Sequence, residues 1–408
     1  MYRFMLFFRR CIAAVSMGLV AGLAGIAFHH AIHGATLLRL SHPFLLLLLP
    51  VGGLLTALLY RIFGMEDDGG TNLALAAVRD HAPMRLRTAP LIFVTTVLNH
   101  LVGGSSGREG AALQLGGSLA SRLGHALGLA PTEGRMLTAC GMSAAFSALF
   151  GTPVTAALFS LEVAHVGLFS YATLLPALLS AVTGVLLAGS MGIEPTFYPI
   201  SSFPAVNPLS LLQVALLGIS CAGAAILFCS AMHVSHKLYD RYFPNPLLRA
   251  VVGGGLVLGL TVLVGLAHGD PLRFPIYNGA GGELVETAIL NGNAQWYDFL
   301  LKLLFTALTL GAGFRGGEIV PAFAVGSTLG CTLAPLLGLP PSFGGAVGLI
   351  GLFCGVTNCP MASILLAFEL FGGEGLPLFA LTAAVSYFLS GDGSLYSTQK
   401  LLTSKIEK

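Results

Sequence analysis

Four glutamates stand inside or at the edge of apolar runs: Glu109, Glu162, Glu318 and Glu369. An ionisable side chain in such surroundings is costly and marks an ion pathway or a proton relay. The four fall into two kinds. Glu109, in "GGSSGREGAALQLGGS", and Glu318, in "GFRGGEIVP", occupy glycine-rich turns at the starts of predicted helices. Glu162 and Glu369 are expected in mid-helix, nine residues after Pro153 and Pro360, prolines suited to open a helix at its first position.

A helix start presents unpaired N–H groups and the positive end of the backbone dipole. Glycines such as Gly107 and Gly110 let a ligand or side chain approach that backbone closely. Two such starts, converging near mid-membrane, would make an anion site without a full positive charge. A carboxylate at the same start can fill the site itself and leave it when protonated or displaced. Glu109 is therefore read as an internal anion that competes with a transported one. Arg108 is expected to point away, toward a carboxylate or carbonyls. For Glu162 and Glu369 a structural role, paired or protonated in a packed bundle, stands equally open. Arg315 is read as a helix-cap or interfacial residue.

The elements that position these groups must lie in a bilayer. Only 9% of the 408 residues are charged, against the roughly 25% of a soluble domain. The mean hydropathy is +0.84. Runs such as "LLLLLPVGGLLTALL" and "VVGGGLVLGLTVLVGLA" place the chain among multispanning membrane proteins. The opening "MYRFMLFFRRCIAAVSMGLVAGLAGIAF" is long enough to span, lacks a clear cleavage site and is followed by more spans, so it reads as a first transmembrane helix. Arg3, Arg9 and Arg10 ahead of it argue for a cytoplasmic N-terminus and a cell-membrane location. Several later apolar stretches fall short of the ~20 residues needed to cross and are interrupted by glycine, of which the chain has 53. Helices that stop partway survive only where their ends face protein or water.

The net charge of +2 points to no nucleic acid. The seven scattered cysteines, among them Cys140, Cys221 and Cys354, form no CxxC pair and suggest neither disulfides nor zinc. His30–His33 and His233–His236 read as interfacial residues rather than metal ligands. No Ser-His-Asp, HExxH or Walker A arrangement is present, so an enzyme is disfavoured and no cofactor is expected. A cation-coupled transporter shares repeats and broken helices but does not need two anion-type helix starts.

The chain is also internally duplicated. At an offset of 209, Gly107, Glu109, Gly117 and Ser118 match Gly316, Glu318, Gly326 and Ser327. At 207, Pro153 and Glu162 match Pro360 and Glu369. Two motif pairs in the same order imply two repeats, 1–204 and 205–408, with no soluble regulatory domain. Parallel and inverted arrangements both fit this pattern.

With these residues assembled, nearly the whole chain resembles the CLC family of chloride channels and anion/proton antiporters. "GSSGREG" resembles the family's gating-glutamate motif, "FGTPVTAALFSLE" its following helix, and "SLYS" the segment with its pore tyrosine. The resemblance implies an all-α polytopic membrane fold with two inverted repeats and broken helices, and a homodimer with one pore per subunit. It also implies Glu109 as the gate, and places Tyr396 and the N–H groups of Glu318 and Ile319 at the central anion site. There are departures. A serine-bearing G-S-G-x-P segment is replaced by "DDGGTNLAL", the gate motif ends in Ala111, and the anion turn carries Glu318. Val163 stands where chloride antiporters keep an internal proton glutamate. These departures resemble the fluoride-exporting, proton-coupled branch of the family. The substrates implied are fluoride and protons, with a chloride channel or chloride/proton antiporter as the alternative. Gly69, Gly70, Thr71 and Asn72 are all candidates for the lost serine position, and Glu318 is the candidate relay in place of Val163.

Overall fold

The computed structural model describes all residues except 1, 81, 83, 270, 271, 273–275, 403 and 406–408; the side chains of residues 2 and 3, and so that of Arg3, also lie outside the described set. Among the described residues, sixteen α-helices carry the fold. The first eight are α1 (Tyr2–Ser41), α2 (Leu49–Ile62), α3 (Thr71–Asp80), α4 (Thr88–Val102), α5 (Glu109–Ala126), α6 (Pro131–Phe150), α7 (Pro153–Glu162) and α8 (Tyr171–Ser190). Their counterparts are α9 (Pro208–Tyr242), α10 (Pro246–Ala267), α11 (Gly282–Leu290), α12 (Asp298–Gly311), α13 (Ile319–Leu333), α14 (Pro341–Thr357), α15 (Pro360–Phe371) and α16 (Leu376–Leu389). One short parallel pair, β1 (His165–Val166) and β2 (Lys400–Leu401), ties the C-terminal segment down.

Among the described residues, six helical segments are long and apolar enough to cross a membrane, in α1, α2, α8, α9, α10 and α13. The opening segment is one continuous helix of 40 residues. By contrast α7 and α15 have 10 and 12 residues. At 1.5 Å per residue they cover about half of a ~30 Å hydrocarbon layer. The apolar stretch 153–190, continuous in sequence, breaks into α7, β1 and α8.

Equivalent capping geometries define the repeat. Gly151, after α6, has φ 72° and ψ 21°, and Asn358, after α14, has φ 59° and ψ 33°. Asn358 is the only non-glycine residue with positive φ among those described. These residues keep the 207-residue offset seen for Pro153 and Pro360. The first motif does not keep 209. Helix α5 begins at Glu109 and α13 at Ile319, and Gly107 and Gly317 form an antiparallel bridge with each other. The spatial offset there is 210, so Glu318 corresponds to Arg108, and Ile319 to Glu109. Matching identical letters had favoured a register one residue short, because two glutamates flank the same turn from different sides.

The short helices show how the halves are joined. Glu162 ends α7 rather than standing in mid-helix, and accepts hydrogen bonds from the N–H groups of Met361 (3.1 Å) and Ala362 (2.8 Å) at the start of α15. Glu369, two residues from the end of α15, accepts from Val154 (2.9 Å) and Thr155 (2.8 Å) at the start of α7. Each helix ends where the other begins, so the two run antiparallel. Each start gains a two-oxygen carboxylate cap. The mid-helix expectation failed because proline marks where a helix opens but not where it stops.

Glu162→Gln and Glu369→Gln each remove the charge and one of two acceptors. Each should lower stability by about 1–3 kcal/mol, the scale of a hydrogen bond to a charged group. Thermal unfolding of the detergent-solubilised variants measures this, and unchanged transitions for both would mean the caps contribute nothing.

Candidate functional site

The centre of the molecule is the contact between the two glycine turns. Gly107 N–H donates to Gly317 O (2.6 Å) and Gly317 N–H to Gly107 O (2.8 Å). This bridge aims the starts of α5 and α13 at one point. The Glu109 carboxylate fills that point and is fully buried. Its Oε2 accepts from the N–H of Arg108 (3.0 Å) and of Val320 (3.3 Å), so one oxygen joins both halves. Its Oε1 is buried without a partner. The donor from α13 to this carboxylate is the N–H of Val320.

Both bridging positions require glycine. A Cβ on Gly107 would overlap Glu109 Oε2, and one on Gly317 would lie 2.6 Å from Gly110 N and 3.2 Å from Glu109 Oε2. The loop that carries Gly107 is fixed from behind. Ser105 N–H donates to Thr309 Oγ1 (3.1 Å), and Asn99 Nδ2 donates to Ser106 Oγ (2.7 Å) and Arg315 O (3.2 Å). Lys302, fully buried on α12, donates to Ser105 Oγ (2.8 Å), Tyr277 O (3.0 Å) and Gly279 O (2.8 Å).

Two cavities approach the carboxylate, and it lines neither. The larger, of about 610 Å³, is bordered by Arg39, His100, Arg108, Tyr198 and Val320. Arg108 points away from the Glu109 carboxylate, as expected, to His29 Nδ1 (3.2 Å) and Leu149 O (3.4 Å), and lies over the Phe150 ring at 5.6 Å. The smaller cavity, of about 240 Å³, gathers Glu318, Tyr396 and all of residues 69–72. Within it Thr71 Oγ1 accepts from Gln114 Nε2 (3.3 Å), whereas the Asn72 side chain is committed to Thr398 (3.1–3.2 Å). Glu318 Oε2 and the Tyr396 hydroxyl are buried without partners. A Cβ on Gly110 would lie 2.7 Å from Thr71 Oγ1 and 3.5 Å from Glu318 Oε2, so Gly110 leaves room for both beside Glu109. Arg315, expected as a cap or interfacial residue, lines this cavity and stacks on Tyr60 at 4.0 Å. Glu162 and Glu369 lie in neither lining.

Tyr396 belongs to an irregular segment held by a few bonds. Leu395 N–H donates to Val356 O (3.0 Å), and Gln399 Nε2 donates to Thr357 O (2.7 Å) and Val163 O (3.0 Å). The Val163 position therefore receives an amide from another segment. Sequence reasoning missed Asn99, Gln114, Lys302 and Gln399. The first three are polar residues inside apolar runs, the signal that found the glutamates.

A family model described as "Voltage gated chloride channel" matches residues 52–391. The chain belongs to this family. It is an integral membrane protein of a channel and transporter family. A "Chloride/fluoride channel protein" of Pseudomonas syringae pv. tomato is 37% identical over 95% of this chain and 86% of its own length. An "H(+)/Cl(-) exchange transporter ClcA" of Yersinia pestis bv. Antiqua is 25% identical over 88% of this chain and 79% of its own. A solved CLC-type fluoride/proton antiporter superposes with a TM-score of 0.91 at 34% identity, covering 97% of this chain and 98% of that one. A slow cyanobacterial Cl⁻/H⁺ antiporter, at 20% identity and TM-score 0.80, shares the family fold.

Substituting Gly317 by alanine should overpack the bridge by about 1–3 kcal/mol and cut anion flux roughly tenfold or more. Gly259→Ala, outside both cavities and with nothing near its Cβ, should leave flux unchanged. Anion efflux from liposomes compares them, and wild-type flux in Gly317→Ala would refute the required close approach.

Proposed function

We propose that this chain is a proton-coupled antiporter that exports fluoride across the cell membrane. It acts as a homodimer with one pathway per subunit, its N-terminus is cytoplasmic, and its repeats span 1–204 and 205–408. The supporting observation is the Glu109 carboxylate. It occupies the meeting point of two helix starts, between two cavities, with one oxygen unbonded. The fluoride named for the Pseudomonas relative and for the 34%-identical antiporter agrees with this reading.

The cycle follows from charge. Ionised, Glu109 satisfies the N–H groups of Arg108 and Val320 and excludes other anions. Protonated, it loses its hold on them, and fluoride takes its place. Fluoride is small and strongly hydrated, so stripping its water requires several convergent donors. The Tyr396 and Thr71 hydroxyls stand at the small-cavity side to supply them, beside Gly69, Gly70 and Asn72. Glu318, close to Gly110, is the relay that passes the proton between Glu109 and the small cavity. If one fluoride leaves as one proton enters, two charge equivalents move inward per cycle. At about 2.3 kcal/mol per charge per 100 mV, a negative interior contributes roughly 4.6 kcal/mol to export. Chloride exchange is the second reading, supported by the more distant H(+)/Cl(-) relative.

Liposomes with equal fluoride on both sides, a proton gradient, and voltage clamped by potassium and valinomycin test the coupling. Fluoride should move uphill. Fluoride that stays at equilibrium while the protein conducts it means a passive channel, and equal uphill movement of chloride favours the second reading. Glu109→Gln should lose coupled exchange altogether. Glu318→Ala should lose proton movement while still passing anion, and normal coupling in that variant would exclude Glu318 as the relay.

A further inference from the structure

A cavity of about 340 Å³ lies apart from the anion pathway, where α6 and α8 begin and α7 ends. Its charged wall is Arg79, Arg135 and His165. No carboxylate lines it. Among the described residues, Arg135 makes no hydrogen bond or ion pair, although it is half-buried. Arg79 is partly used: its guanidinium pairs with the exposed Asp80 and donates to Thr398 O. The charged groups acting on His165 are Arg79, Asp80, Lys400 and Arg135, three cations and one anion. The cavity therefore holds a net positive charge that the protein leaves uncompensated.

Depth and rim narrow the ligand. Helix α8 is a membrane-crossing candidate from its first residue, Tyr171, and Ser170 and Thr173 at that first turn line the cavity. The cavity thus opens at the boundary where lipid headgroups lie. Phe169 and Tyr171 pack edge to face there, with Tyr171 77% exposed, in the manner of an interfacial aromatic belt. Exposed Leu168 and Leu175 continue the surface toward the hydrocarbon. A cationic recess at this depth, with an apolar face beside it, complements a phosphate joined to acyl chains.

We propose that this cavity binds the headgroup of an anionic phospholipid, with Arg135 as the main contact to its phosphate and Arg79 and His165 beside it. The bound phosphate also meets the wall that carries the C-terminal segment, because β1 pairs His165 with Lys400. Partial burial, and next Arg79, hold the His165 imidazole below the ordinary histidine range, and a phosphate nearby would push it back up.

Native mass spectrometry of the delipidated protein, titrated with dioctanoyl phosphatidylglycerol, tests the proposal. Phosphatidylglycerol should be retained, and Arg135→Gln should bind it roughly fivefold less, the scale of one basic side chain at an anionic lipid surface. Thr132→Glu is a second variant that puts a carboxylate into the cavity, at the second residue of α6 where the helix dipole favours an acid, and it should fold and also bind less. Arg241→Gln, outside the cavity, should match wild type. Dioctanoyl phosphatidylcholine, which carries the same phosphate without net charge, should bind more weakly. Equal retention of phosphatidylglycerol by both cavity variants and wild type, or equal binding of phosphatidylcholine, would overturn the site. Inorganic phosphate competing at the lipid's own concentration would show a free-anion site instead of a lipid one.

Discussion

Everything in this fold depends on the problem of stopping a helix inside a membrane. A helix start leaves N–H groups unpaired, and hydrocarbon offers them nothing. This chain meets the problem at two places and solves it in two ways. At the starts of α7 and α15 the partner is permanent, since each carboxylate uses both oxygens on the N–H groups of the opposite helix. At the starts of α5 and α13 one carboxylate serves both, with one oxygen only. The first arrangement has nothing left to exchange. The second is a cap with an unused acceptor, the feature on which the proposed gate rests.

A displaceable cap needs a rigid frame, because the irregular loops around it lie deep in the protein. Buried irregular backbone is tolerated only when its polar groups are paired. The loop at 103–107 is therefore bonded to the second repeat through Thr309 and Lys302, which both meet Ser105, and through Asn99, which holds Ser106 and the Arg315 carbonyl together. The Lys302 amine is buried, with neutral groups as its hydrogen-bond partners. One amine nitrogen can reach three polar groups from three directions, which a hydroxyl cannot. It fixes the loop beside Glu109 against the second repeat.

Much of this was legible in the sequence, and the limits have physical causes. Composition gave the membrane class, because a chain with 9% charged residues cannot cover itself with polar surface. Glycine beside glutamate at two helix starts pointed to Glu109 and Glu318, since close backbone approach has few other uses. What could not be read was direction. Glu162 and Glu369 were visible as costly acids, but their reciprocal capping depends on α7 and α15 lying antiparallel, a tertiary fact. Of residues 69–72, sequence could not separate Thr71, whose hydroxyl approaches Gly110, from Asn72, whose amide is tied to Thr398. The register of the repeat was missed by one residue. Letter identity paired Glu109 with Glu318, whereas the bridge pairs Gly107 with Gly317.

That single residue changes how the duplication is understood. At the spatial offset, position 108 corresponds to 318, and the two equivalent side chains line opposite cavities: Arg108 the larger, Glu318 the smaller. An inverted pair of repeats must behave this way, because the pseudo-two-fold that exchanges the halves also exchanges the two mouths. Two equal residues there would give a symmetric path with no chemical distinction between its ends. Instead one copy keeps a cation and the other an acid, although each cavity also holds the opposite charge, Glu283 and Glu286 in the larger and Arg249 and Arg315 in the smaller. The gate itself is equally unsymmetric, since Glu109 is answered by Ile319, which has no group to compete for the N–H donors. In the proposed cycle, divergence at two neighbouring positions of an otherwise symmetric frame thus leaves a proton relay on the small-cavity side that the other side lacks.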